Sequence, residues 1–341
     1  MLIERIASGD VLDDAYDWLC RRRRDYPANT DIWSFRRNWP HEKQRVRQDL
    51  LAGRFRFDAL DRVALRDGSQ VDVWTSRDAL VLKAMSMCLA QVLPVSPLCT
   101  HVRGHGGAKE AVRQVAARLP LNAFVLRTDV KSYYASIDHH RLLDRLAVHV
   151  RDRDVMNLLG QYMQRCVCDG GNYIDIERGI SLGCPLSPLM AAFYLHDLDK
   201  TFERGGLFYI RFMDDILILA PTRWKIRQAM ARVREVLNSL RLDLHPDKTF
   251  IGRAARGFDF LGYHFFEGTL GVAAKTYARM TEIAARLYEQ NGRRDQPAPL
   301  GQYLTRWNAW FRGGLDGLNL RCDFPAPFPD PNSCSQSRQQ K

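Results

Sequence analysis

Residues 207–221 read LFYIRFMDDILILAP, and the fold turns on how that stretch is interpreted. Two strongly β-prone runs, 207–213 and 216–220, are separated only by Asp214 and Asp215. They are expected to form a hairpin with both carboxylates at its tip. Asp-Asp can be plain turn chemistry, but adjacent acids without a glycine make a poor hairpin turn and repel each other unless a cation binds. Upstream, an apolar strand over 124–128 ends in Asp129, and the following VKSYYASIDHHRLLDRLAVHV shifts to a helical period after Asp138. An aspartate closing a buried strand is poorly placed for packing and well placed for a metal, although alone it serves equally as a cap or turn residue. Together the two segments supply the hard oxygen ligands that Mg²⁺ prefers, and a pair of such ions clamps the attacking and leaving oxygens of a phosphoryl transfer.

Between these segments lies RGISLGCPLSPLMAAFYLHDLDKTF (178–202). Gly179, Gly183, Pro185 and Pro188 enforce an irregular loop, after which Leu189, Ala192, Phe193, Leu195 and Leu198 read as a buried helix. A glycine-rich loop entering a helix lets backbone approach a flat ligand, and equally suits a kinked loop beneath a sheet. Further upstream, Leu80, Val81, Ala84, Met87, Cys88 and Gln91 mark a core helix over 75–93, stopped by Pro94. HVRGHGGAKEAVRQVAARL (101–119) then runs from a glycine-rich turn into a helix bearing Lys109 and Arg113, where amides and positive charge meet a phosphate, or where a helix simply starts.

The 341 residues carry 50 Lys and Arg against 39 Asp and Glu, a net charge of +11 that implies a polyanionic partner. With 46% hydrophobic and 26% charged residues, neither a disordered nor a fibrous chain fits. In roughly the first 60 residues, Arg21 to Arg24, Arg36, Arg37, Lys43, Arg45 and Arg47 alternate with Trp18, Trp33, Phe35 and Trp39. This suits phosphate contacts beside stacking surfaces, or a solvated helical face over core tryptophans. Cys20, Cys88, Cys99, Cys166, Cys168, Cys184, Cys322 and Cys334 are scattered, which suits reduced thiols in the cytoplasm. Neither Cys166, Cys168 and Asp169 nor Cys99, His101 and His105 has the paired spacing of a structural zinc site. The charged N-terminus is no signal peptide, and no apolar run approaches the ~20 residues of a membrane span. CDFPAPFPDPNSCSQSRQQK (322–341) reads as a disordered tail.

In order and spacing, LLAGRFRFDAL, HVRGHGGAKEAV, RTDVKSYYASID, GISLGCPLSPL, FMDDILIL, HPDKT and FLGY resemble the motifs of reverse transcriptases, especially bacterial ones related to group II intron proteins, over roughly residues 50–265. The resemblance implies an α+β right-hand polymerase with helical fingers, an antiparallel-sheet palm flanked by helices, and a short helical thumb. It places an N-terminal extension and fingers at 1–120, the palm at 121–265 with an interleaved fingers segment at about 140–180, and the thumb at 266–321. It implies RNA-directed DNA synthesis with two Mg²⁺ ions, Mn²⁺ being a substitute.

Matched residue by residue, Asp129 and Asp214 would hold the metals, with Val130 beside them and Asp215 as helper, and Lys248 would donate a proton to pyrophosphate. Tyr134 would exclude a ribose 2′-hydroxyl, Val130, Gly183, Ser187 and Pro188 would support nucleotide and template, and Phe260, Leu261, Gly262 and Tyr263 would grip the primer. Lys109 and Arg113, and Arg306, Trp307, Trp310 and Arg312 on helices expected over 273–289 and 300–313, would contact an RNA–DNA hybrid. Implied partners are an RNA template, a DNA or RNA primer, dNTPs and an associated noncoding RNA, with no membrane.

Two departures stand out: Leu182 replaces the usual glutamine, and the fingers base for the triphosphate falls to Arg66, Arg77 or Lys83. About 55 residues between FLGY and the tail suit a thumb and no nuclease domain, which points to a free-standing enzyme of a mobile element or phage-defence locus. Alternatives are a template-independent or protein-primed polymerase and an RNA-binding palm protein that has lost catalysis.

Overall fold

The computed structural model describes residues 1–64, 70–266, 269–291 and 298–315. Arg66, Cys322, Cys334 and the segment 322–341 lie outside the described residues. The N-terminal region is helical: α1 (Leu2–Ile6), α2 (Gly9–Arg22), α3 (Asp31–Arg37) and α4 (Trp39–Leu51) gather around α5 (Ser76–Leu89). Their apolar stripes converge through Leu12, Ala15 and Leu19 of α2 and Leu80, Val81 and Ala84 of α5, all buried. Thr75 starts α5 by accepting the Asp78 amide hydrogen at 3.2 Å. The helix ends at Leu89, short of the expected Leu93, and a turn leads to Pro94.

The central sheet orders β6 (Phe208–Phe212), β7 (Asp215–Ala220), β3 (Phe124–Thr128) and β8 (Phe250–Arg253), every pairing antiparallel. Strand alternation divides its core. Leu126, Ile216 and Ile218 pack with α7 (Tyr133–Ser136), α8 (His139–His149), α9 (Arg153–Met163), α10 (Ser187–Tyr194), α11 (His196–Glu203) and α12 (Arg223–Ser239). Val125, Leu217 and Leu219 pack with α6 (Gly107–Arg118) and the sheet of β9 (Phe258–Phe260), β10 (Tyr263–Phe266) and β11 (Thr269–Val272). Both faces are covered, which is why 216–220 is continuously apolar rather than alternating. Asp138 and Asp152 cap α8 and α9 by accepting amide hydrogens, and Pro188 sits in the first turn of α10. The single helix expected through Leu198 is two, broken at Leu195 (φ −93°), because spacing in threes and fours does not register a one-residue kink.

The helical fingers expectation needs one addition. β1 (Leu60–Ala64), β2 (Gln70–Val73), β4 (Cys166–Asp169) and β5 (Asn172–Asp175) form a second sheet in the order β2-β1-β4-β5, with β1 and β4 parallel. These strands are short and polar, so their periodicity is weak. At the C-terminal end, α13 (Ala274–Asn291) and α14 (Ala298–Leu315) pack together, and α14 rests on α6.

Candidate active site

Asp129 follows the last residue of β3 and is 7% exposed. Beside it, Val130 bridges to Leu244, and the Asp129 carbonyl accepts the His245 amide hydrogen at 2.8 Å. This pairing carries the turn 246–248 to the strand end, where Lys248 Nζ donates to Asp129 Oδ2 at 2.6 Å. The Asp129 hydrogen bond holds the lysine above its ordinary value.

The β6–β7 turn corrects the expected tip by one residue. Phe212 pairs with Asp215, so the turn is Met213–Asp214 and Asp215 opens β7. Met213 adopts φ +56°, a region disfavoured for non-glycine residues. The Asp214 carboxyl is raised by burial and by the charge of Asp129, against the pull of Lys248. Asp215 is pushed to about 6 by burial, then by Asp214 and Asp129. Among the described residues no group of three or more His, Cys, Asp or Glu side chains converges on one point. The fit to a cation therefore rests on the donor chemistry: Asp129, Asp214 and Asp215 are hard-oxygen carboxylates close enough for Asp129 to raise Asp214 and for both to raise Asp215, which favours a positive charge among them.

That chemistry has a pH consequence. A carboxyl held near 6 keeps its proton at pH 5, and a divalent ion must displace it. Mn²⁺ affinity is expected to fall by about tenfold per pH unit below pH 6 and to level off above pH 7. Mn²⁺ titration followed by electron paramagnetic resonance between pH 5 and 8 checks this, and a flat profile would contradict it.

Asp214 opens into a cleft of about 1260 Å³ also lined by Tyr134, Gly183, Pro188, Trp18 and Lys83. Of the adjacent tyrosines, Tyr133 is buried and donates to the Ala191 carbonyl at 2.6 Å, whereas Tyr134 faces the cleft. Burial and Asp214 push the Tyr134 phenol up to about 12. Gly179 is required by contact, since a Cβ there would lie 2.7 Å from the Ala135 backbone. Leu182 stands 64% exposed at the cleft wall. A second cavity, about 590 Å³, opens at the opposite end of β3 between Phe124 and Arg253, and among the described residues no carboxylate lines it.

Several expected contacts fall elsewhere. Ser187 is fully buried, donating to the Ser181 carbonyl and meeting the Tyr162 hydroxyl at 2.6 Å, so it braces the loop rather than facing a ligand. The Val130 side chain is likewise buried, leaving its backbone near the site. Phe260 and Tyr263 are core residues, and the hairpin tip is Leu261–Gly262, both at positive φ, with Trp310 against Gly262. Lys109 donates to the Tyr263 hydroxyl and the Trp310 carbonyl and lies 3.9 Å from the Trp310 ring centre. Burial draws its ammonium down to about 8. Arg113 bonds Glu110 and the Gly313 carbonyl. Lys109 and Arg113 thus fasten α14 to α6. Arg306 and Arg312 are exposed, while Trp307 stacks on Phe311 at 5.9 Å.

Among the fingers candidates, Arg77 pairs with Asp58 and Asp78, and Lys83 reaches the cleft with its ammonium 5.2 Å from the Trp18 ring centre. The N-terminal aromatics divide: Trp39 stacks on Tyr16 at 4.0 Å, and Arg36 covers the exposed Trp33. Sequence reasoning missed His101 as a neighbour of the turn and Arg211 beneath it. A charged residue inside an otherwise apolar β-run was the available signal for Arg211.

In comparison with known proteins, the chain is 24% identical over 271 residues to Protein YkfC of Escherichia coli (strain K12), a match covering 65% of this chain and 70% of that protein. It is 25% identical over 128 residues to the group II intron-encoded protein LtrA of Lactococcus lactis subsp. cremoris, covering 37% of this chain and only 21% of LtrA. A chain of a partial Cas6-RT-Cas1–Cas2 complex superposes with a TM-score of 0.43 at 20% identity, over 70% of this chain and 42% of its own length. The sequence model of the family described as "Reverse transcriptase (RNA-dependent DNA polymerase)" matches residues 76–265, more than half of the chain, and takes in Asp129, Asp214 and Lys248. The chain belongs to the reverse transcriptase (RNA-dependent DNA polymerase) family.

Proposed function

We propose that this protein is an RNA-directed DNA polymerase that adds dNTPs to a primer 3′-hydroxyl on an RNA template. The observation carrying the reading is the meeting of Asp129, Asp214 and Lys248 at the mouth of a cleft walled by Tyr134. Asp129 and Asp214, with Asp215 and the Val130 backbone, would hold Mg²⁺, which when bound acidifies the primer hydroxyl and offsets charge at the α-phosphate and departing pyrophosphate. Lys248, held charged beside Asp129, would hand that leaving group a proton and draw a replacement from water. Residues 1–120 serve as N-terminal extension and fingers, 121–265 as palm, and the helices beyond as thumb, where Arg306 and Arg312 contact the backbone of an RNA–DNA hybrid. The +11 charge supports that partner. The setting we assign is a mobile element or phage-defence locus.

Tyr134 lines the cleft where the sugar would rest, and its ring would crowd a 2′-hydroxyl there. Tyr134→Ala is expected to reduce discrimination against ribonucleotides by about 10–100-fold, read as the ratio of kcat/KM for dCTP and CTP. Unchanged selectivity would place the gate elsewhere.

The deciding experiment is primer extension by purified protein with Mg²⁺ on an RNA template, with dNTPs or NTPs in parallel and sequencing of the product. Template-complementary DNA supports the reading. Untemplated product would favour a template-independent or protein-primed polymerase. No product, with hybrid binding intact, would favour an RNA-binding palm protein.

A further inference from the structure

The backbone of Met213 is held from two sides. Its N–H donates to Nδ1 of His101 at 3.0 Å, and its carbonyl accepts from Nη1 of Arg211 at 2.8 Å. Because His101 Nδ1 is an acceptor, its proton sits on Nε2, which donates to the Pro188 carbonyl at 3.0 Å. The Cys99 thiol also lies 3.3 Å from Nδ1. Arg211 is wholly buried and is itself oriented, its Nε donating to Asp199 Oδ1 at 2.8 Å and its Nη2 to the Ala192 carbonyl at 3.2 Å. The segment bearing His101 is sewn to β6: the Arg211 amide donates to the Leu98 carbonyl, and the Thr100 amide donates to the Arg211 carbonyl, both at 2.9 Å. Four separated stretches, 98–101, Pro188, Asp199 and Arg211, therefore meet around one residue whose φ is +56°.

We propose that His101 and Arg211 form a clamp on the peptide groups of Met213, and that holding this residue left-handed aims the Asp214 carboxylate at Asp129. Both are positioning residues, since neither touches a reacting atom. A methionine released from such a clamp relaxes toward negative φ, and the next side chain turns with it. The tie from His101 to Pro188 couples the same clamp to the loop at the cleft wall, so the carboxylate and that wall are set together. The inference rests on the polymerase reading of Asp214.

The test compares the unmodified protein with His101→Leu, which removes the acceptor, and His101→Asn, whose side-chain carbonyl can reach the Nδ1 position. Mn²⁺ binding is measured by electron paramagnetic resonance on the protein alone, and kcat and KM for dNTP by primer extension. His101→Leu is expected to weaken Mn²⁺ binding by about 5–10-fold and lower kcat by about 10–100-fold with KM for dNTP changed less than about twofold. His101→Asn is expected to return both quantities to within about threefold of the unmodified protein. Equal losses in the two variants, or no loss in His101→Leu, would overturn the clamp.

Should His101→Leu fail to fold, ¹⁵N spectra of histidine-labelled unmodified protein still decide. A bare Nδ1 and a protonated Nε2 on His101 are expected, and the opposite tautomer would overturn the proposal. If the unmodified protein makes no product but the Mn²⁺ difference between variants persists, the clamp stands and the polymerase reading falls. No Mn²⁺ binding by the unmodified protein would overturn both.

Discussion

Asp214→Asn is expected to lower Mg²⁺-dependent primer extension by about 10³-fold or more, the equivalent of about 4 kcal/mol of transition-state stabilisation. The amide keeps the shape of the carboxylate and one of its oxygens but loses the charge that would hold a divalent ion opposite Asp129. Affinity for an RNA–DNA hybrid is expected to stay within about threefold, because phosphate contacts come from Lys and Arg elsewhere. Folding stability should not fall: burial and Asp129 already raise the Asp214 carboxyl, so removing its charge relieves repulsion. This opposition of signs separates chemistry from folding. Retained synthesis would remove Asp214 from the metal site, and loss of synthesis together with a lower melting temperature would point to simple misfolding.

Asp199→Asn is expected to cost about 3–5 kcal/mol of folding stability, the usual consequence of leaving a buried charge without its partner. Arg211 and Asp199 are both 0% exposed, and the Tyr209 hydroxyl also donates to Asp199 at 2.7 Å. Without Asp199 the arginine still does not shed its proton readily, because the ordinary pKa of a guanidinium lies far above any working pH. Urea unfolding measures the loss as a lower midpoint at constant slope. Replacing the pair together, with Arg211→Met and Asp199→Leu, is expected to recover part of that stability, because no charge is then buried. Synthesis is not expected to return with it, because the donor to the Met213 carbonyl is gone. A destabilisation below about 1 kcal/mol in Asp199→Asn would mean that water reaches the pair.

The chemistry of this chain was legible wherever it depends on residue type and local spacing. Asp129 at the end of an apolar run and Asp214 between two β-prone runs are legible as breaks in those runs, and the structure places both where the runs end. Tyr134 was separable from Tyr133 only through the family likeness, since one-residue offsets decide which ring is buried and neither composition nor period distinguishes them. The turn register illustrates the same limit. An Asp-Asp pair looks like a two-residue loop, yet pairing Phe212 with Asp215 lets the strand keep one more hydrogen-bonded step, with Met213 taking the left-handed conformation.

The failures concern long side chains and distant partners. Lys109 and Arg113 are expected to contact a phosphate or simply to start a helix, because a helix pattern gives only their angular position. What they bond, the Trp310 and Gly313 carbonyls, is about 200 residues away in the chain. Ser187 looked like a ligand group and is an internal brace for the same reason.

Local order thus carried the β3 and β6–β7 strands, the helix starts near Thr75 and after Asp138, the net positive charge and the three acidic residues, because each depends on a few neighbouring residues and on short-range sterics. Packing alone assigned the remaining roles, fastening Lys109 to α14 and making His101 the acceptor for Met213. Hydrogen bonds between segments more than 100 residues apart leave no period in the chain, and only closure of the core brings their partners within 3 Å.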